Sequence, residues 1–132
     1  MSFIPLNIEE GKVVSLLTTS DTAFTKHNAV KFTSGYAAAA ASGDAAVDYV
    51  ALETKTSATG DGADSLLCLK VDPSIRFSVT LSTTFVQATH AGNRYDISAA
   101  GTIDLAAQSD KCFLLEKGSG TTGEGYFQQA IA

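Results

Sequence analysis

An all-β fold, a single small β-barrel or β-sandwich with an extended N-terminal arm, is what this sequence predicts, on three observations. Residues 75–82, Ile-Arg-Phe-Ser-Val-Thr-Leu-Ser, put four apolar side chains on one side of an extended backbone and four polar ones on the other. That period of two marks a strand with one wet face. Weaker stretches of the same kind recur along most of the chain between Gly, Ser, Asp and Asn turns, at a spacing that suits a sandwich or barrel. The 132 residues are 45% hydrophobic and 17% charged, a globular composition on a chain long enough to bury one core without staples.

Taken in order, residues 1–11 read as the arm and residues 12–132 as a single β domain. Phe3, Ile4, Leu6 and Ile8 are apolar, Pro5 removes a backbone donor and Gly11 closes the segment. Proline suits an extended edge or lead-in better than an interior strand. Strands are predicted at residues 12–17, 28–33, 47–54, 65–71, 75–82, 94–98, 102–106, 111–117 and 125–131. The alanine run 37–41 has high helix propensity. It is nevertheless too short between Gly35 and Ser42-Gly43-Asp44 to nucleate a helix, and a closely packed small-residue strand is the preferred reading. Asp72-Pro73-Ser74 marks a tight turn, because proline presets the required φ. Ala99-Ala100-Gly101 marks another, where Gly101 is free to take positive φ. The Gly-rich stretches 59–64 and 118–123 are predicted to be flexible surface loops.

Groups capable of chemistry are sparse. The net charge of −5, with nine scattered Lys and Arg, argues against a nucleic-acid partner, whose phosphates require a basic patch. Met1-Ser2-Phe3-Ile4-Pro5 lacks the basic start of a secretory signal, and no apolar run is long enough to span a bilayer. The expectation is a protein made soluble in a cytoplasm, with no membrane partner. Cys68 and Cys112 lie in apolar runs and read as buried thiols with no zinc site to serve. His27 and His90 sit in loop-like settings without a nucleophile elbow, and read as exposed surface histidines. Asp44 with Asp48, and Asp61 with Asp64, are the candidate carboxylate pairs. Asp44 and Asp61 belong to Gly-rich turns whose backbone their side chains would bond. The stretch Asp61-Gly62-Ala63-Asp64 lacks the ligand spacing of a calcium loop. Gly118-Ser119-Gly120-Thr121-Thr122-Gly123 copies the Gly-x-Gly-x-x-Gly letters of a dinucleotide site, but a strand-like stretch follows it where a helix is needed. No catalytic residue, cofactor or metal is assigned. Sugar stacking lacks a tryptophan, and the four tyrosines do not cluster in the sequence.

Both ends of the sequence are apolar: Phe3-Ile4-Pro5-Leu6 at the start, Tyr126-Phe127 and Ala130-Ile131-Ala132 at the finish. Two explanations stand. Each end pairs with a sheet edge of its own domain, or one of them lies on a neighbouring subunit as an added strand or anchoring arm. The N-terminal arm is the better candidate for the second.

Two stretches then carry a resemblance. Asn28-Ala29-Val30-Lys31-Phe32 leads through a turn and a small-residue strand to Ser42-Gly43-Asp44 and Val47-Asp48-Tyr49-Val50-Ala51-Leu52-Glu53. Asn93-Arg94-Tyr95-Asp96-Ile97-Ser98-Ala99-Ala100-Gly101 leads to Thr102-Ile103-Asp104-Leu105. Over residues 11–117 this cadence of hairpins resembles the small β-barrel head-decoration (cement) proteins of tailed bacteriophages, without a signature residue to carry over. The resemblance implies a non-enzymatic virion component on the outer capsid surface. Its partners would be the major capsid protein and copies of itself, often as a homotrimer. It also implies that the arm, through Phe3, Ile4, Leu6 and Ile8, anchors to the capsid. A tail-tube or head–tail connector subunit and a carbohydrate-binding β-module are the alternatives.

Overall fold

The structure, a computed structural model, describes residues 3–6, 12–40, 47–99, 101–108 and 112–127. It is nearly all β, and its centre is a closed five-stranded barrel. Strands β9 (Phe77–Leu81), β11 (Thr102–Asp104), β10 (Arg94–Ala99), β12 (Phe113–Ser119) and β13 (Thr122–Phe127) are hydrogen-bonded in that order, and β13 returns to β9. All these pairings are antiparallel except that of β11 with β9, where Thr102 faces Thr80 and Ile103 faces Leu81.

The described part of the predicted arm contributes a strand to this barrel's sheet. β1 (Phe3–Pro5) lies antiparallel to β9, with Phe3 opposite Val79 and Pro5 opposite Phe77. It occupies the part of the β9 edge that β11 leaves uncovered. Residues 77–79 have β1 on one side and β13 on the other, and β11 takes over at Thr80. Phe3 is 0% exposed. Its ring sits edge-on to Phe127, which meets Phe77 and Phe113 in the same way, with centroids 5.0, 5.1 and 4.8 Å apart. Edge-to-face contacts of this kind add to the gain from removing each ring from water, itself about 1.5–3 kcal/mol.

A barrel of only five strands has a narrow interior, and β13 supplies the room by carrying glycine at two inward positions. A Cβ on Gly125 would stand 1.9 Å from the Leu114 carbonyl oxygen, and one on Gly123 would stand 2.6 Å from Leu115 Cδ1. This explains a difference from the sequence reading, which takes residues 118–123 for a loose loop. Here the strands run through to Ser119 and resume at Thr122, leaving a two-residue turn. Gly120 opens that turn at φ +59°, the type II′ hairpin pattern.

The second layer is an antiparallel sheet of β2 (Val13–Leu17), β8 (Ser65–Lys70), β6 (Tyr49–Ala51), β4 (Ala29–Thr33) and β5 (Tyr36–Ala39). The alanine run therefore forms a strand as far as Ala39. A bridge between Thr18 and Ala37 draws the end of β2 against β5, so the sheet curls back on itself. Both of its faces carry buried side chains. Ala29, Val50 and Leu69 join the barrel core, whereas Val30, Ala51, Leu66 and Cys68 form a second cluster with Phe24. Phe24 comes from a short ribbon, β3 (Ala23–Phe24) with β7 (Lys55–Thr56), that the sequence does not reveal. The strand expected at 47–54 is confined to three residues. A four-residue helix, α1 (Gln87–His90), was not foreseen.

The loop 59–64 is tied down. Ser20 N–H donates to Asp61 Oδ1 at 2.9 Å, Gly60 N–H to Ser20 Oγ at 2.8 Å and Thr59 Oγ1 to Asp21 Oδ1 at 2.8 Å. Asp64 accepts the Ser65 N–H and pairs with Lys55 Nζ at 2.8 Å.

Candidate interaction surface

The alternation that sends Phe77, Phe127, Phe113 and Tyr95 into the barrel sends their neighbours outward, and the register aligns them in a row. Leu6 donates its N–H to the Arg76 carbonyl at 2.8 Å. Arg76 lies over the Tyr126 ring, 4.6 Å from its centroid. Tyr126 faces Leu114, and Leu114 faces Arg94. The next row is Ile4, Ser78, Glu124 and Lys117. Ile4 and Leu6 are 44% and 51% exposed. They project from a strand whose other face is locked by Phe3, so this apolar pair is held in place. Arg76 Nε is bonded to Glu116 Oε1 at 2.8 Å, and an Arg76 terminal nitrogen donates to the Pro73 carbonyl at 2.6 Å. These contacts fix the guanidinium over the tyrosine, which favours cation–π attraction. Glu116 reaches Arg76 because a bulge between Leu115 and Lys117 pushes one extra residue out of the ladder.

The four residues proposed as anchors from the sequence therefore divide. Phe3 faces the core of its own barrel, where the sequence reading has it anchor to a partner. Ile4 and Leu6 face outward, and Ile8 lies outside the described residues. Pro5 sits where alternation turns the backbone away from β9, so the free edge of β1 lacks a donor at that point.

A second exposed apolar feature lies on the other layer. Phe32, 49% exposed, stands edge-on to half-buried Tyr49 with centroids 5.4 Å apart. Tyr49 faces Lys70 across the sheet. This pairing was invisible in the sequence, because Phe32 and Tyr49 are seventeen positions apart and meet only through the register of β4 with β6. A shallow groove of about 250 Å³ runs along the β12–β13 hairpin between Lys117, Ser119, Thr122 and Glu124.

The residues considered for chemistry are engaged structurally. Both histidines are half-buried, where the sequence suggests exposure. The His90 Nδ1 accepts the Val86 N–H at 2.8 Å, and its ring lies 5.9 Å from both Phe85 and Tyr95. His27, at φ +69°, accepts the Phe3 N–H on its carbonyl at 2.7 Å. Burial, and then the adjacent Lys26 charge, push its imidazole pKa down. Asp61 and Asp64 are spent on loop backbone and Lys55, while Asp44 lies outside the described residues. Cys68 and Cys112 are buried and neither is disulfide-bonded. Burial, with a smaller contribution from the Glu53 charge, pushes the Cys68 thiol up to about 12. Among the described residues no group of three or more His, Cys, Asp and Glu converges as a metal site. No helix among them is long and apolar enough to cross a membrane.

Comparison with known proteins matches no family model to this chain, and no curated protein matches it significantly.

Proposed function

We propose that this protein is a non-enzymatic structural component of a virus particle, a decoration or cement protein that binds the outer capsid surface and stabilises the head. The observation that carries the reading is the rigidly held apolar pair Ile4 and Leu6, flanked by Arg76, Tyr126 and Leu114 on the outer wall of a closed barrel. Such a patch suits a protein surface better than a small substrate: it lies on an outer wall, with Ile4 and Leu6 exposed and one fixed cation over an aromatic ring. The resemblance of the hairpin cadence in the sequence to that of phage head-decoration proteins supports the same reading. The partners would be the major capsid protein and further copies of this chain. Each contact is weak, and occupancy at many equivalent positions multiplies them.

The test is the copy number of the protein in purified particles from its source, by quantitative mass spectrometry. A number comparable to that of the major capsid subunit supports decoration. A few copies per particle identify a tail-tube or connector subunit, and absence from particles overturns the structural reading. The anchoring surface is tested separately with Ile4→Ser/Leu6→Ser, which leaves Phe3 in the core. Loss of capsid binding by this variant supports the assignment, and unchanged binding removes β1 from the interface.

A second reading, a carbohydrate-binding module, is favoured by the Phe32–Tyr49 pair, since exposed rings stack on sugar faces. A saturable change in tyrosine fluorescence on adding sugars, abolished by Phe32→Ala, is the outcome that supports it.

A further inference from the structure

We propose that β1 is an exchangeable strand, and that the slot it occupies on β9 accepts Phe3, Ile4, Pro5 and Leu6 of a second copy of this chain. This does not depend on the capsid reading. The barrel closes through β9, β11, β10, β12 and β13 without β1, so β1 is a graft on a finished ring. It can leave without opening that ring.

The slot has defined limits. At one end β11 takes over the β9 edge at Thr80, and on the open side the His27 carbonyl accepts the Phe3 N–H. Its floor presents the Phe127 ring to Phe3. Four consecutive residues supply the whole key: a buried ring, two exposed apolar side chains, and a proline that needs no partner for its nitrogen. The Leu6 N–H is met by Arg76. This is strand addition to a sheet edge, in which backbone hydrogen bonds give affinity and one pocketed side chain fixes the register.

A strand supplied by a neighbour makes the same contacts as one supplied in cis. The balance is therefore set by concentration rather than by contact energy. Attachment to the same chain gives the strand's own slot an effective concentration on the order of millimolar. The strand stays in cis in dilute solution and exchanges where copies are crowded side by side.

The experiment uses Ile4→Cys and Ser78→Cys. These positions face each other directly in a hydrogen-bonded antiparallel pair, whose Cβ atoms, about 5.5 Å apart, are too far for an unstrained disulfide but within reach of a short bis-methanethiosulfonate cross-linker. A double variant, Ile4→Cys/Ser78→Cys, should close an intrachain cross-link in dilute solution. The two single variants, mixed at about 1 mM and treated with the same reagent, should accumulate a linked heterodimer. Ile4→Cys mixed with Ser15→Cys, an exposed position on β2, should not. Equal heterodimer yields in the two mixtures overturn the exchange. Failure of the double variant to close overturns the slot itself.

Discussion

Phe3 and Phe127, 124 positions apart in the sequence, meet edge-to-face with their ring centroids 5.0 Å apart. The contact binds the first described strand to the last and places both in one aromatic cluster with Phe77 and Phe113. Phe3→Ala should therefore lower stability by about 3–5 kcal/mol, as expected for emptying a buried aromatic position. Ile4→Ser, one residue away on the exposed face, should lower it by about 1 kcal/mol or less. Urea unfolding of the two variants measures the difference. Similar losses in both would show that β1 is not seated as described.

Gly125→Ala should be more damaging than Gly123→Ala. A methyl at 125 runs into the Leu114 carbonyl, which is backbone. One at 123 meets the ends of Leu115 and Leu81, which can turn aside. The expected losses are about 3 kcal/mol or more at 125 and about 1–3 kcal/mol at 123, read from thermal or urea midpoints.

These two glycines also mark the limit of what the sequence discloses. The strongly alternating stretch 75–82 became β9 almost as read, because one row of it is buried and the pattern records it; β8 was legible as an apolar run, with Leu69 in one cluster and Leu66 and Cys68 in the other. Residues 118–123 misled because glycine in a strand and glycine in a loop look alike. Leu115 and Leu81 leave no room for a side chain at Gly123, and the Leu114 carbonyl of β12 leaves none at Gly125. Phe3 misled for a related reason: an apolar residue near a terminus is written the same way whether its own core or a neighbour takes it. The outward-facing row Leu6–Arg76–Tyr126–Leu114 is assembled from four separate segments of the chain. It has no linear signature.

Acid should weaken the protein through Asp72. Lys12 Nζ, the Ser74 hydroxyl and the Ser74 N–H all meet its carboxylate, and they hold its pKa at about 2, below the ordinary 3.8. A carboxyl depressed in the folded state stabilises it fully above the ordinary value, and that contribution is lost as pH falls toward the folded one. Asp72→Asn should thus be less stable than the parent at pH 7, with the gap narrowing from about pH 4 to pH 2. A constant gap in urea midpoints across that range would exclude this carboxylate as the source.

Cys68 should resist alkylation in the native protein. Its thiol is pushed up to about 12, so almost no thiolate, the reactive form, is present near pH 8. Iodoacetamide labelling followed by peptide mass spectrometry should find Cys68 unmodified natively and modified in urea. Rapid native labelling would mean that the sheet around it opens.

The ring that joins β9 to β13 has a bearing on biosynthesis. Translation delivers β1 first, yet its partner strand is made some seventy residues later and the ring opposite Phe3 later still. Until Phe127 has cleared the ribosome the barrel cannot close, and the earliest strand waits with Phe3 and its neighbours uncovered. Long-range pairing of this kind slows folding and exposes apolar segments to association in the interval. The nascent chain thus passes through a stage in which β1 has no partner to cover it.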